Sequence, residues 1–208
     1  MSGKLVVLEG IDGAGGEVQS KKLVEYLKQK GIPARRLTYP EYEKPVGRLI
    51  DEYLKGGYDF SPKFLFVLYA SDMIKDIDSI KASLEKGEML VCDRYFTTTL
   101  AYQVGVMKSI SLENALKFAE IFEIKKPDIV FYLRISPETS IERKSKEKEV
   151  DVHEGSRVFL KSVTEAYERL AKENVFGNWF VIDGEKSIEE VFDEIIKTLK
   201  NKGIVPAD

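Results

Sequence analysis

Gly10, Gly13, Gly15 and Gly16 fall within seven positions, directly after the apolar run Leu5-Val6-Val7-Leu8. A turn so rich in glycine lets backbone N–H groups close on phosphate oxygens, and the N-terminus of a following helix adds partial positive charge. A helix is expected there, because Val18, Leu23, Val24 and Leu27 recur at helical spacing. Gly10 and Gly15 fall on the two glycines of the nucleotide-binding pattern GxxxxGK[ST]. The next two positions hold Gly16 and Glu17 in place of Lys and Ser/Thr. The ammonium that meets β- and γ-phosphates is therefore missing, as is the hydroxyl that meets Mg2+, and Glu17 adds negative charge at the phosphate seat. An ordinary Gly-rich strand-to-helix turn fits this stretch equally well.

Other groups carry chemistry at similar places. Asp93 and Arg94 follow the apolar run Met89-Leu90-Val91-Cys92. A charged pair ending a buried strand suits a structural ion pair, or a phosphate and metal site. The tract Tyr39-Pro40-Glu41-Tyr42 ends another strand; its alternative is a plain turn with packed aromatics. Thr97, Thr98, Thr99, Tyr102 and Gln103 open a helix with hydroxyls and an amide that suit a sugar or base, or helix capping. Arg143, Lys144, Lys146 and Lys148 form a basic run, either a solvated helix face or a mobile cover that brings positive charge to a reaction centre. The lone Cys92 reads as a buried strand thiol, and the single His153 leaves a Ser-His-Asp triad only to coincidence.

These groups need a frame to hold them. Strands are expected at about 5–8, 34–39, 89–92, 129–133 and 179–182, with helices between them. Pro62 after Ser61 marks a helix start whose Phe64, Leu65, Val67, Leu68 and Tyr69 are apolar nearly all round, so much of that helix should be buried. A long helix is expected over about 155–173. Alternating strands and helices predict an α/β, three-layer sandwich with a five-stranded, mainly parallel sheet. In such sheets ligands gather at the strand C-termini. The Gly-rich loop, the Tyr39–Tyr42 tract and Asp93-Arg94 all lie at those ends. The 208 residues carry a net charge of −3, which gives no support for a nucleic-acid coat. No signal peptide and no apolar run of membrane-spanning length is evident, so the expected location is the cytoplasm.

With those residues in hand, the chain resembles the thymidylate kinases, a branch of the P-loop nucleoside monophosphate kinases. The resemblance runs nearly end to end: LEGIDGAG with Gln19, YPEY, Tyr69-Ala70-Ser71-Asp72, CDRY, Ala101-Tyr102-Gln103, KPDIVFYL and IDGEKSIEEV. It implies a P-loop NTP hydrolase fold in one domain over 1–208, with an acceptor-binding region at about 38–75 and a lid at about 141–154. It implies phosphoryl transfer from ATP, with Mg2+, to dTMP, giving ADP and dTDP. By this resemblance Gly10, Ile11, Asp12, Gly13, Ala14, Gly15, Gly16, Glu17 and Arg143 would hold ATP. Arg94 would pair with the acceptor phosphate, and Asp12 would lie near that phosphate and Mg2+. Tyr39, Tyr42, Tyr69, Asp72, Thr98, Thr99 and Tyr102 would border the acceptor, joined by Asp151 and His153 where the lid rejoins the site. Arg143 and Lys144 would act in catalysis, since Gly13 matches the branch that takes its cation from the cover segment. Asp12, Glu17 and Asp93 are the candidate metal ligands. A homodimer through the helices after Ser61 and Ser111 is implied, with small nucleotides as the other partners.

Two departures from the family pattern matter. Gly16 and Glu17 remove a phosphate cation, which in a dry site is worth roughly several kcal/mol of transition-state stabilisation. A lysine among Lys144, Lys146 and Lys148 is one substitute, with Glu17 reaching Mg2+. Met73 stands where an arginine usually meets the pyrimidine. A catalytically impaired nucleotide-binding relative and a kinase of broader pyrimidine specificity therefore stay open as alternatives.

Overall fold

The computed structural model describes residues 3–145 and 157–206. Among them, β1 (Leu5–Glu9), β2 (Ala34–Thr38), β3 (Met89–Asp93), β4 (Ile129–Arg134) and β5 (Trp179–Asp183) form a sheet in the order β2-β3-β1-β4-β5. Every neighbouring pair is parallel. The central β1 reads LVVLE and is buried at each position. A strand flanked by two neighbours and covered on both faces has no solvent side, so its apolar run is continuous rather than alternating.

The helices are α1 (Gly16–Gln29), α2 (Pro45–Leu54), α3 (Pro62–Ile74), α4 (Ile77–Glu85), α5 (Phe96–Thr99), α6 (Leu112–Ile121), α7 (Pro137–Lys144), α8 (Arg157–Lys172) and α9 (Ile188–Asn201). A π-helical stretch, Leu100–Val106, continues α5 without a break. The step from β1 to β2 crosses the sheet one way; the later steps cross it the other way. Right-handed crossovers then put α1 on one face and the later connections on the opposite face. The packing agrees: α1 lies against α9, while α8 lies against the π-helical stretch, which also meets α3 and α6. The expected three-layer α/β sandwich with a parallel sheet is what the chain forms.

Local chemistry sets the helix starts. Ser61, Ser111, Ser136 and Ser187 each accept a backbone N–H three residues on. Ser187 and Glu190 complete a reciprocal capping box at α9. Fully buried Leu5, Val7, Leu8, Leu90, Val91 and Phe131 each contribute about 1.5–3 kcal/mol of transfer free energy. That burial fixes the strand ends on which the site is built.

Three details differ from the sequence expectation. β2 stops at Thr38; Tyr39 still donates its N–H to Asp93 O at 3.1 Å, but Pro40 has no N–H to carry the ladder on. In α3, Leu65 and Leu68 are buried as expected, together with Phe66, Ala70 and Met73, whereas Phe64 and Val67 stay exposed and Tyr69 is half-buried. A separate α4 and the π-helical stretch were not anticipated, since neither periodicity nor a Gly/Pro break marks them.

Candidate active site

The parallel register sets Leu8 and Thr38 on either side of Asp93. The segments after β1, β2 and β3 therefore open side by side at one edge of the sheet. Two clefts form there. One is walled by Tyr39, Tyr42, Tyr69, Met73, Thr98 and Gln103. The other runs along residues 10–17 and is closed by Arg143, Lys144, Gly184 and Lys186. Asp12 and Arg94 belong to both walls. Asp12, Tyr39 and Arg94, distant in sequence, thus converge on one place.

Arg94 takes a left-handed backbone with φ 63°, a region that side-chain-bearing residues enter rarely and mostly at functional sites. The conformation is held by its N–H donating to Leu8 O at 3.0 Å and its carbonyl accepting from the Cys92 thiol at 2.8 Å. Its guanidinium pairs with the Asp12 carboxylate. Burial pulls the Arg94 pKa down, but Asp12, Tyr102 and Tyr167 push it further up, so the group is firmly cationic. The Tyr102 ring lies 5.9 Å from the guanidinium carbon.

Behind this pair sits Glu9, at 1% exposure. It accepts from Tyr95 N at 3.1 Å, Thr97 Oγ1 at 2.5 Å, Thr98 Oγ1 at 2.6 Å and Tyr167 Oη at 2.8 Å. Burial raises its pKa, and the bonds from Thr97, Thr98 and Tyr167 pull it part of the way back. Glu9 therefore ties the end of β1 to α5 and α8. Sequence reasoning overlooked it. The available signal was a carboxylate ending an otherwise apolar strand, which must find partners when buried.

The phosphate loop is strapped from above by α7. Ser140 Oγ donates to Asp12 O at 2.6 Å, and Arg143 donates to Gly13 O at 2.9 Å and Gly184 O at 3.1 Å. Gly13 is required at its place: its φ is 78°, and a Cβ would sit 3.3 Å from the Arg143 Cβ. Glu17 points outward to Lys21 at 2.5 Å; that bond is the main cause of its lowered pKa. Asp93 receives Arg36 Nη2 at 2.6 Å. Burial raises the Asp93 pKa, while Arg94 and Arg36 draw it back. Asp12, Asp93 and Glu17 thus each face a cation, and among the described residues no three metal-binding side chains gather into a cage. Asp12, Asp93 and Glu17 nonetheless line the same cleft. That arrangement fits Mg2+, which is usually held by one or two carboxylates plus substrate phosphates.

In the aromatic cleft Tyr39 is a wall. Its hydroxyl donates to Asp76 at 2.9 Å and the Lys75 ammonium lies 5.0 Å over its ring. Asp72 accepts from Glu41 N at 2.7 Å and pairs with Lys75 at 3.1 Å, so it pins the Tyr39–Tyr42 tract. Met73 lines the cleft as a buried apolar group. Thr98, Thr99 and Tyr102 line the same cleft. Beside them the buried Gln103 Oε1 has no hydrogen-bond partner among the described residues. A buried amide left open on a cavity wall is suited to a polar ligand. Lys146, Lys148, Asp151 and His153 lie outside the described residues.

The thymidylate kinase family model matches residues 8–195. The probable thymidylate kinase of Methanocaldococcus jannaschii is 39% identical over 199 residues, covering 94% of this chain and 95% of that protein. The thymidylate kinase of Plasmodium falciparum is 31% identical over 206 residues, covering 99% and 94%. The human thymidylate kinase is 31% identical over 193 residues, covering 93% and 88%. A solved structure of thymidylate kinase from Candida albicans superposes with a TM-score of 0.76 at 20% identity, covering 97% of this chain and 93% of that one, and so supports the fold.

Proposed function

The chain belongs to the thymidylate kinase family, and from that premise we propose that it transfers the γ-phosphoryl group of ATP to dTMP, giving ADP and dTDP. The observation that carries this reading is the Asp12–Arg94 pair set in the wall common to both clefts. An acceptor phosphate drawn to Arg94 from the aromatic side meets the end of a triphosphate laid along residues 10–17. Phosphoryl transfer asks a protein mostly for such positioning and for charge neutralisation.

In this reading the backbone of Gly10, Ile11, Gly13, Ala14, Gly15 and Gly16 cradles the donor phosphates. Tyr69 and Met73 enclose the base, with Thr98, Thr99, Tyr102 and Gln103 offering polar groups to base and sugar. Tyr39 and Asp72 shape that pocket and Tyr42 edges it. Arg143 fixes the loop, and Lys144 brings charge from the lid, proposed at about 141–154 over a single domain with the acceptor-binding region at about 38–75. Mg2+ would be held by Asp93 and Asp12, with Glu17 at the margin, and supplies charge neutralisation on the phosphates when bound. The assembly proposed is a homodimer in the cytoplasm, through α3 and α6, where Phe64, Val67, Ile121 and Phe122 are exposed.

Met73 favours a second reading of specificity. An apolar wall discriminates one methyl group by only about 10–200-fold, so dUMP should be accepted at a reduced rate. A coupled ADP-release assay with ATP, Mg2+ and dTMP, dUMP, UMP or CMP in turn tests both statements. ADP should form fastest with dTMP, then dUMP. No ADP with any acceptor, alongside measurable dTMP binding, would leave the impaired nucleotide-binding relative as the better reading.

A further inference from the structure

The phosphate loop has lost its own cation, yet a second cation lies directly beneath it. Arg36 rises from the middle of β2 and donates its Nε–H to Ser20 Oγ at 2.8 Å and an Nη2–H to Asp93 at 2.6 Å. Ser20 Oγ in turn donates to Glu17 O at 3.0 Å, in the first turn of α1. The Arg36 side chain is 23% exposed, and only two of the five guanidinium N–H groups are engaged in these bonds.

Gly16 and this arrangement depend on each other. A Cβ at Gly16 would come within 2.6 Å of Asp93 Oδ1, the carboxylate whose other oxygen receives Arg36. Any side chain at position 16 would therefore turn Asp93 and disturb its pairing. Around the seat, Glu9, Asp12, Asp93 and Glu17 are set against Arg36, Arg94, Arg143, Lys144 and Lys186. Removing Arg36 would leave as many carboxylates as cations where a polyanion must bind.

We propose that Arg36 supplies, from under the loop, the positive charge that the loop lacks at Gly16, holding Asp93 neutralised so that the seat attracts the ATP phosphates. Arg36 is thus a positioning residue, acting through Asp93 and through its field from a partly buried pair. The inference rests on the kinase reading for its consequence in turnover, but not for its consequence in nucleotide binding.

The test is a charge exchange. Arg36→Met, Arg36→Lys, Gly16→Lys and Arg36→Met/Gly16→Lys are compared for kcat and KM, and for affinity toward Mg2+ with a non-hydrolysable ATP analogue by calorimetry. Arg35→Met is the control; Arg35 bonds Ser79 and Ser83 outside both clefts. Arg36→Met should weaken ATP-analogue binding and kcat/KM for ATP by roughly ten- to a hundredfold, with KM for dTMP changed by less than about threefold. Arg36→Lys should retain at least about a tenth of the natural value, and Gly16→Lys should recover about tenfold or more on the Arg36→Met background. Binding within about threefold of natural in Arg36→Met, or a folded Arg36→Met chain that Gly16→Lys does not rescue, would overturn the proposal. Should Arg36→Met not fold, Arg36→Lys decides: a folded protein that has lost ATP-analogue binding overturns it, and retained binding supports it. Arg36-dependent binding without turnover on any acceptor would remove the kinase reading and keep this one. Turnover indifferent to Arg36 would do the reverse.

Discussion

Arg94 and Glu9 show how individual side chains are held to a task. Arg94 is strained at its backbone and paired through its guanidinium with Asp12. An acceptor phosphate must compete with Asp12 for it, so Arg94→Met should lower kcat/KM for dTMP by about a hundred- to a thousandfold in the coupled assay. Thermal stability should fall far less. Glu9 titrates in the opposite sense to an ordinary ion-paired carboxylate. Its folded pKa is raised, so the folded chain binds a proton that the unfolded chain has already released. The stability it contributes is greatest below about pH 4.5 and declines as pH rises through the folded value. The Tm difference between the natural chain and Glu9→Gln should therefore shift with pH across that window, with the natural chain losing ground as pH rises. At this scale the glycines and Arg94 were legible as candidates through their shared place at strand C-termini, and Asp12 through the family resemblance. The sequence did not announce Glu9 or Arg36, whose significance comes from partners tens of residues away.

Among the elements, α2 positions the site without contributing a reacting group, whereas α7 both straps the loop and carries Arg143 and Lys144. Gly47 in α2 lies so close to the Tyr39–Tyr42 tract that a Cβ there would stand 2.0 Å from Glu41 O. Backbone cannot yield as a flexible side chain can, so Gly47→Ala should displace the tract. KM for dTMP should rise by about tenfold or more while KM for ATP stays within about threefold, as steady-state kinetics would show. An equal rise in both would mean the helix itself had collapsed. The start of α3 was legible from Ser61-Pro62, since caps are local chemistry; the capping box of Ser187 and Glu190 was there to be read in the same way and was missed. The π-helical stretch and the break before α4 were not, because the tertiary packing that selects them leaves no periodic trace.

For the molecule as a whole, the parallel sheet was legible because buried strands need uninterrupted apolar runs. Which helices would leave an apolar face uncovered was legible only in part. The exposed Phe64, Val67, Ile121 and Phe122 join through Phe66, Phe118 and Phe122, whose rings pack from α3 to α6. Sedimentation should give twice the chain mass, and a Val67→Glu/Ile121→Glu variant should sediment as one chain; a monomeric natural protein would reject the dimer. The sheet also has two unequal edges. Each candidate reacting group stands where strands finish, while the exposed Lys86 and Lys126 stand where β3 and β4 are about to begin. That far rim is consequently the place for a tether, a dye or a fused partner. Cargo attached there would hang some five residues of strand away from the chemistry and leave the substrates' approach unobstructed.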